Sequence, residues 1–335
     1  MATTQRKPPK TWSLLGDVKR RPSAYEATAA KCNYHFRREP APFEMDPQAP
    51  FNLFYLKNRE GSAFNVDDWE GFRDPAKLMY SDYVMLQHDR ETYVDLLTDH
   101  HEDAESVSAL DPAWVTTLRD LFVPLRFPLH VLQMTGLYVG QMAPSAFIIN
   151  CSNFQAADEL RRIQRIAYHT KALADAHDAS FAETAAARDP WEHGAAWQPL
   201  REVLERLLAV RDWGEAFVAL NVAVKPVLDS VVNQQLSELA ARNGDEYLSL
   251  LMAEFQLDAQ RSQDWTAALL RYAVKHDPAM ADVVGGWLEA WQPRADAAVV
   301  GLAALFGGAT HPIEPAQVVD AASAARQGVI HAAGL

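Results

Sequence analysis

The sequence predicts an all-α fold, a bundle of several long helices behind an extended N-terminal arm. Three observations point there. From about residue 76 to 310, apolar residues recur at three- and four-residue spacing over stretches far longer than a strand. Period-two alternation bounded by turn residues, the mark of strands, is nearly absent. Residues 1 to 75 are written differently, crowded with prolines and aromatic rings.

In the arm, prolines at 8, 9, 22, 40, 42, 47, 50 and 75 forbid long helices. Trp12, Tyr25, Tyr34, Phe36, Phe43, Phe51, Phe54 and Tyr55 are interleaved with them, and so many large rings do not stay in water. An arm laid over another protein satisfies both facts. So does a loop-rich cap on the chain's own core. Asp74-Pro75 pairs a capping residue with proline at the first helical position, and predicts a helix that carries the pattern Leu78–Leu97. Asp111-Pro112 starts another in the same way, punctuated by Pro124 and Pro128. Long patterns follow from Leu129 to Met142 and, past Pro144, from Ala146 to His177. Residues 178–197, with Asp189-Pro190, read as loop. Helical segments are then expected at 198–210, 213–242, 245–275, 279–292 and 293–306. Asp212 is placed to cap the second of these, with Glu215 as its capping-box acid. Gly307-Gly308 is a helix stop, and 311–335 is an alanine-rich tail segment. The division is therefore 1–75, 76–310 and 311–335.

Composition narrows the function. With 335 residues, 49% hydrophobic and 22% charged, the chain can bury a large core. A formal net charge of −13 argues against a protein that tracks phosphates, so no nucleic-acid partner is expected. The basic residues Lys19, Arg20, Arg21, Arg37 and Arg38 read as a solvated or partner-contacting tail. Two distant cysteines, Cys32 and Cys151, make no disulfide framework and fit a reducing compartment. Met1–Pro22 lacks the apolar stretch of a signal peptide, and no run approaches the roughly 20 apolar residues of a membrane span. A cytoplasmic location is expected, with no membrane partner.

A bundle of long helices raises the question of a carboxylate-bridged metal site. Such a site takes a Glu from each of two helices and a Glu-x-x-His from each of two others, because a spacing of three brings both ligands to one helix face. None of the 11 histidines stands three residues after an Asp or Glu. The nearest approximations are Glu159 with Arg162 and Asp258 with Arg261. A guanidinium has no lone pair for a metal. His100 and His101 are adjacent and diverge on a helix; His169 and His177 lie two turns apart; His130 sits in an apolar segment and reads as a core or interface histidine. Gly-rich phosphate loops and a GxSxG elbow are absent. No catalytic, cofactor-binding or metal-ligating residue is expected in this chain.

Five stretches carry a likeness to a known family: Lys10–Glu26 (KTWSLLGDVKRRPSAYE), Asp74–Gln87 (DPAKLMYSDYVMLQ), Pro124–Tyr168 with LHVLQM, YVGQMAPSAFIIN and QAADELRRIQRIAY, Asp212–Pro226 (DWGEAFVALNVAVKP) and Asp258–Trp265. On these the chain resembles the beta, or small, subunit of the hydroxylase of soluble diiron monooxygenases, in the branch that oxidises toluene-type aromatics, alkenes and isoprene. The resemblance implies a ferritin-like long-helix bundle lacking the diiron site. It also implies that the diiron centre lies in a partner alpha subunit, whose two Glu-x-x-His motifs stand about a hundred residues apart. Here Glu159 and Asp258 are 99 residues apart, which makes Glu159, Arg162, Asp258 and Arg261 degenerate former-ligand positions. The other two ligand helices would pass near Leu129–Gln133 and Val222–Val224, which offer no carboxylate. The implied partners are the catalytic alpha and small gamma subunits in an (αβγ)₂ assembly, served by an effector protein, a Rieske-type ferredoxin and an NADH reductase. Carboxylates left inside a bundle are costly unpaired, so Arg162 and Arg261 are expected to replace the lost positive charge with bidentate geometry.

Two rival readings differ in class. A free-standing ferritin-like enzyme with an unusual ligand set would carry stoichiometric iron or manganese when isolated. A helical small-molecule-binding or scaffold protein would be monodisperse without a partner.

Overall fold

The computed structural model describes residues 23–26, 50–103 and 105–335. Among them are helices and loops and no strand. Lys19, Arg20, Arg21, Arg37, Arg38, Cys32, Trp12, Tyr34, Phe36 and Phe43 lie outside the described residues.

The helices are α1 (Pro50–Tyr55, continuing as a π turn Leu56–Glu60), α2 (Tyr80–Asp103), α3 (Pro112–Leu121), α4 (Arg126–Met142) and α5 (Ala146–Ala176). After them come α6 (Thr184–His193), α7 (Gln198–Leu208), α8 (Trp213–Val218), α9 (Lys225–Asp229) and α10 (Leu236–Arg242). The chain closes with α11 (Glu246–His276), α12 (Met280–Ala303) and α13 (Pro315–Ala333). Caps fix several starts. Asp111 accepts the amides of Ala113 and Trp114 at 2.9 and 3.2 Å, and Asp212 those of Gly214 and Glu215 at 2.8 and 3.0 Å. Ser145 accepts from Phe147, starting α5 just past Pro144. Each replaces an amide partner that the first helical turn lacks.

Three local expectations are corrected. Asp74-Pro75 does not start a helix: Asp74 instead accepts the amide of Lys77, which sits at φ 52, and α2 begins at Tyr80. Residues 178–197 are not loop, since they hold α6 with Pro190 inside it. The segments 279–292 and 293–306 are one helix through Met280–Ala303, in which Pro293 forgoes its hydrogen bond without ending the helix. The stretch 213–242 is helical throughout, as expected, with α8, α9 and α10 joined by π turns at Ala219–Val224 and Ser230–Gln235. The segment set apart at 311–335 holds α13, which packs on α11 and α12.

The core runs between α4, α5, α7 to α12. Helices α4 and α5 approach closely because Gly136 lacks a Cβ: one placed there would stand 3.4 Å from the Cβ of Ala156. At Gly214 an added Cβ would lie 2.4 Å from that of Phe64, where Phe64, Trp69, Trp213 and Phe217 form an aromatic cluster. Ser23–Glu26 caps itself into one turn and docks on this body, with the Tyr25 hydroxyl donating to Asp74 and Arg73 pairing Glu26 at 3.2 Å. No helix of the described residues is long and apolar enough to cross a membrane.

Candidate functional site

Helix α5 delivers the chemistry, because the four charged residues flanking Leu160 turn two ways. Glu159 and Arg162, three residues apart, face inward to α9; Asp158 and Arg161 face α2 and α11. The structure brings both acid–arginine pairs together, Arg162 to Glu159 at 3.2 Å and Arg261 to Asp258 at 2.9 Å.

The inner group is a closed ring of four charges. Arg162 Nη1 lies 2.7 Å from Asp229 and 3.2 Å from Glu159, and Lys225 Nζ lies 2.5 Å from Glu159 and 2.9 Å from Asp229. Relative exposure is 5% or less at every one of these side chains, so water screens nothing. Burial alone would raise the Asp229 carboxyl, but Lys225 and Arg162 outweigh it and hold the group below its ordinary value. Burial likewise opposes charge on Lys225 and Arg162, and the two carboxylates overcome it, so both cations are held above their ordinary values. The ring is neutral as a whole. The expected bidentate geometry is not found: Arg162 uses one nitrogen for both acids, and its Nε and Nη2 are buried without a hydrogen-bond partner.

The second group joins three helices. Arg261 Nη2 bridges Asp158 at 2.6 Å and Asp258 at 2.9 Å; Arg161 reaches Asp258 at 2.8 Å. From α2, the Tyr83 hydroxyl donates to Asp158 at 2.8 Å, Gln87 donates to both aspartates at 2.9 and 3.0 Å, and Arg90 pairs with Asp258. Glu91 takes Arg161 at 2.5 Å and also Arg165, which reaches Asp95 at 2.6 Å. Burial and the nearby Asp258 charge push Asp158 up to about 7. Burial and Asp158 together raise the Tyr83 phenol.

Sequence reasoning missed Asp229 and Lys225. The helix expected near Val222–Val224 does pass this site, but its charged residues come one turn later, beyond the first π turn. It also missed Arg161, although the doubled pattern Asp158-Glu159-Leu160-Arg161-Arg162 carries that signal. Glu215 accepts the Trp291 indole N–H at 3.0 Å and is not a capping-box acid. His130 is exposed rather than core. His169 is buried between Phe122 and Tyr247, its Nε2 without a partner, and burial lowers its pKa. His177 contacts the Val107 carbonyl at 2.6 Å.

A carboxylate-bridged metal does not fit here. Cationic nitrogens lie between the carboxylates of both groups, where a metal's own charge would have to sit. Among the described residues, no set of three or more His, Cys, Asp or Glu is arranged to hold a metal ion.

The comparisons agree with this architecture. Residues 51–277 match the family model for methane/phenol/alkene hydroxylase. The beta subunit of the hydroxylase component of the toluene-4-monooxygenase system of Ectopseudomonas mendocina is 35% identical over 331 residues, 98% of this chain and 99% of that one. A structure of toluene 4-monooxygenase with toluene bound in its resting active site superposes with a TM-score of 0.84 at 37% identity, covering 90% of this chain and 98% of that chain. Phenol hydroxylase from Pseudomonas sp. OX1, xenon-pressurised, shares the fold at a TM-score of 0.83 and 18% identity, covering 100% of this chain and 98% of that one. The bundle is ferritin-like, and the chain belongs to the methane/phenol/alkene hydroxylase family, within which it resembles the toluene 4-monooxygenase beta subunit.

Proposed function

We propose that this chain is the non-catalytic structural subunit of a soluble monooxygenase hydroxylase, one that inserts an oxygen atom from O₂ into an aromatic or alkene hydrocarbon. The observation that carries the reading is the ring of Glu159, Arg162, Asp229 and Lys225, in which side-chain cations stand where a carboxylate-rich bundle would otherwise admit metal. Glu159, Arg162, Asp258 and Arg261 are former-ligand positions that now stabilise the bundle. Chemistry belongs to a partner alpha subunit holding a diiron centre. The assembly is (αβγ)₂, with an effector protein, a Rieske-type ferredoxin and an NADH reductase acting on it. Family membership and the beta-subunit likeness support the role of a subunit in a hydroxylase component.

The test is metal analysis with co-expression. Alone, this chain is expected to hold no stoichiometric iron and to be poorly soluble; with the large hydroxylase subunit it is expected to be soluble, in a complex that contains iron and turns over. Stoichiometric iron in the isolated chain, or full turnover by the large subunit without it, overturns the reading.

A further inference from the structure

Helix α2 is turned the wrong way round for a lone protein. Its inward face is polar: Tyr83, Gln87, Arg90, Glu91 and Asp95 reach the carboxylates and arginines of α5 and α11. Its buried apolar residues are Tyr83, Val94 and Leu97. Three large apolar residues left exposed share one side, Met85 at 67%, Leu96 at 65% and Tyr93, while Tyr80 and Val84 are exposed on another side of the helix. On a helix, Met85, Tyr93 and Leu96 fall within about 80° of arc, opposite Gln87 and Val94. Exposed acids, Asp89 and Asp99, interrupt and rim this strip.

We infer that the outward face of α2 is a docking surface for an apolar helix of a different chain, rimmed with Lys or Arg. Charge decides against a second copy, because two such faces would set Asp89 and Asp99 against themselves in a chain of net charge −13. A basic rim complements those acids, and apolar side chains cover Met85, Tyr93 and Leu96. The inference rests on the reading of the chain as an assembly subunit, and names the surface and chemistry by which it assembles. Helix α2 then has two distinct attachments, charged toward its own chain and apolar toward the partner.

The experiment is the double substitution Met85→Asp with Leu96→Asp in the chain co-expressed with the large hydroxylase subunit, read by co-purification and solution mass. Expected is at least a tenfold loss of complex, no loss with Val300→Asp, an exposed apolar residue of α12, and full recovery with Met85→Leu and Leu96→Met. A second readout needs no variant: oxidative footprinting of Met85 in the wild-type complex, before and after its dissociation, should show several-fold protection in the complex. Unchanged assembly by the double variant, or equal oxidation of Met85, overturns the surface while leaving the subunit reading intact. Self-association of the wild-type chain that the double variant abolishes also overturns it. A wild-type chain that never co-purifies with the large subunit overturns both readings.

Discussion

Replacing Arg162 with alanine is the sharpest perturbation of the inner ring. The ring holds two negative and two positive charges, all but sealed from water. Removing Arg162 leaves two carboxylates sharing Lys225 alone, a net buried charge of one. Breaking a buried pair from one side costs roughly 3–5 kcal/mol. At roughly 2 °C of melting temperature per kcal/mol for a large chain, the midpoint should fall by about 6–10 °C. The paired replacement Glu159→Leu with Arg162→Met behaves differently. It leaves Asp229 and Lys225 2.9 Å apart as a neutral pair, and it removes the two orphaned N–H groups of Arg162. That double variant should cost less than Arg162→Ala alone. The same holds for Arg162→Met with Asp229→Leu, which leaves Glu159 with Lys225 at 2.5 Å. The assay is a double-mutant cycle on thermal unfolding of the assembled complex. Additive effects for both pairs would mean that these groups do not sense one another, and would refute the ring as a unit.

Acidity separates three groups. Asp229 has a depressed folded pKa, so its contribution is present above its unfolded value and is lost as pH falls through the folded one; Asp229→Asn should flatten the acid limb of a stability profile measured below about pH 4. Asp158 has a raised folded pKa, so the stability linked to its bound proton is full below the unfolded value and lost as pH rises to about 7; Asp158→Asn should gain on wild type across that window, and a constant difference would contradict it. His169 is held neutral by burial, so stability falls as pH drops below its unfolded value of about 6.5; His169→Leu should remove that component in urea titrations at pH 5 and 7. Gly214→Ala should cost about 1–3 kcal/mol by forcing a Cβ against Phe64, and an unchanged midpoint would show that the loop can yield there.

Much of the fold could be read in the sequence because caps and periodicity are local. Asp111 and Asp212 each mark a boundary through hydrogen bonds within three residues, and Pro144 stands just before the Ser145 cap of α5. The corrections all fall at prolines, whose surroundings decide what they do. Pro190 and Pro293 sit inside helices instead of breaking them, while Pro75 starts no helix because the aspartate before it serves a turn. The site was half legible. Pairs three residues apart on one helix show in the sequence, and so Glu159 with Arg162 and Asp258 with Arg261 could be named. Lys225 and Asp229 could not be tied to Glu159, because the link spans 66 residues from Glu159 to Lys225 and depends on π turns that change which side faces inward. The α2 strip was invisible for a related reason: its apolar residues fit a helix pattern equally well facing in or out.

The closed ring also has a historical consequence. A descendant of this chain that altered Arg162 alone, or Lys225 alone, would carry an uncompensated charge in its interior before any ligand set was complete. A metal-binding set at these positions would need concerted changes at two helices at once, while drift within the ring would be purged one mutation at a time. Neutralisation thus acts as a lock: the surface of the chain is free to vary, but the four buried charges can change only together.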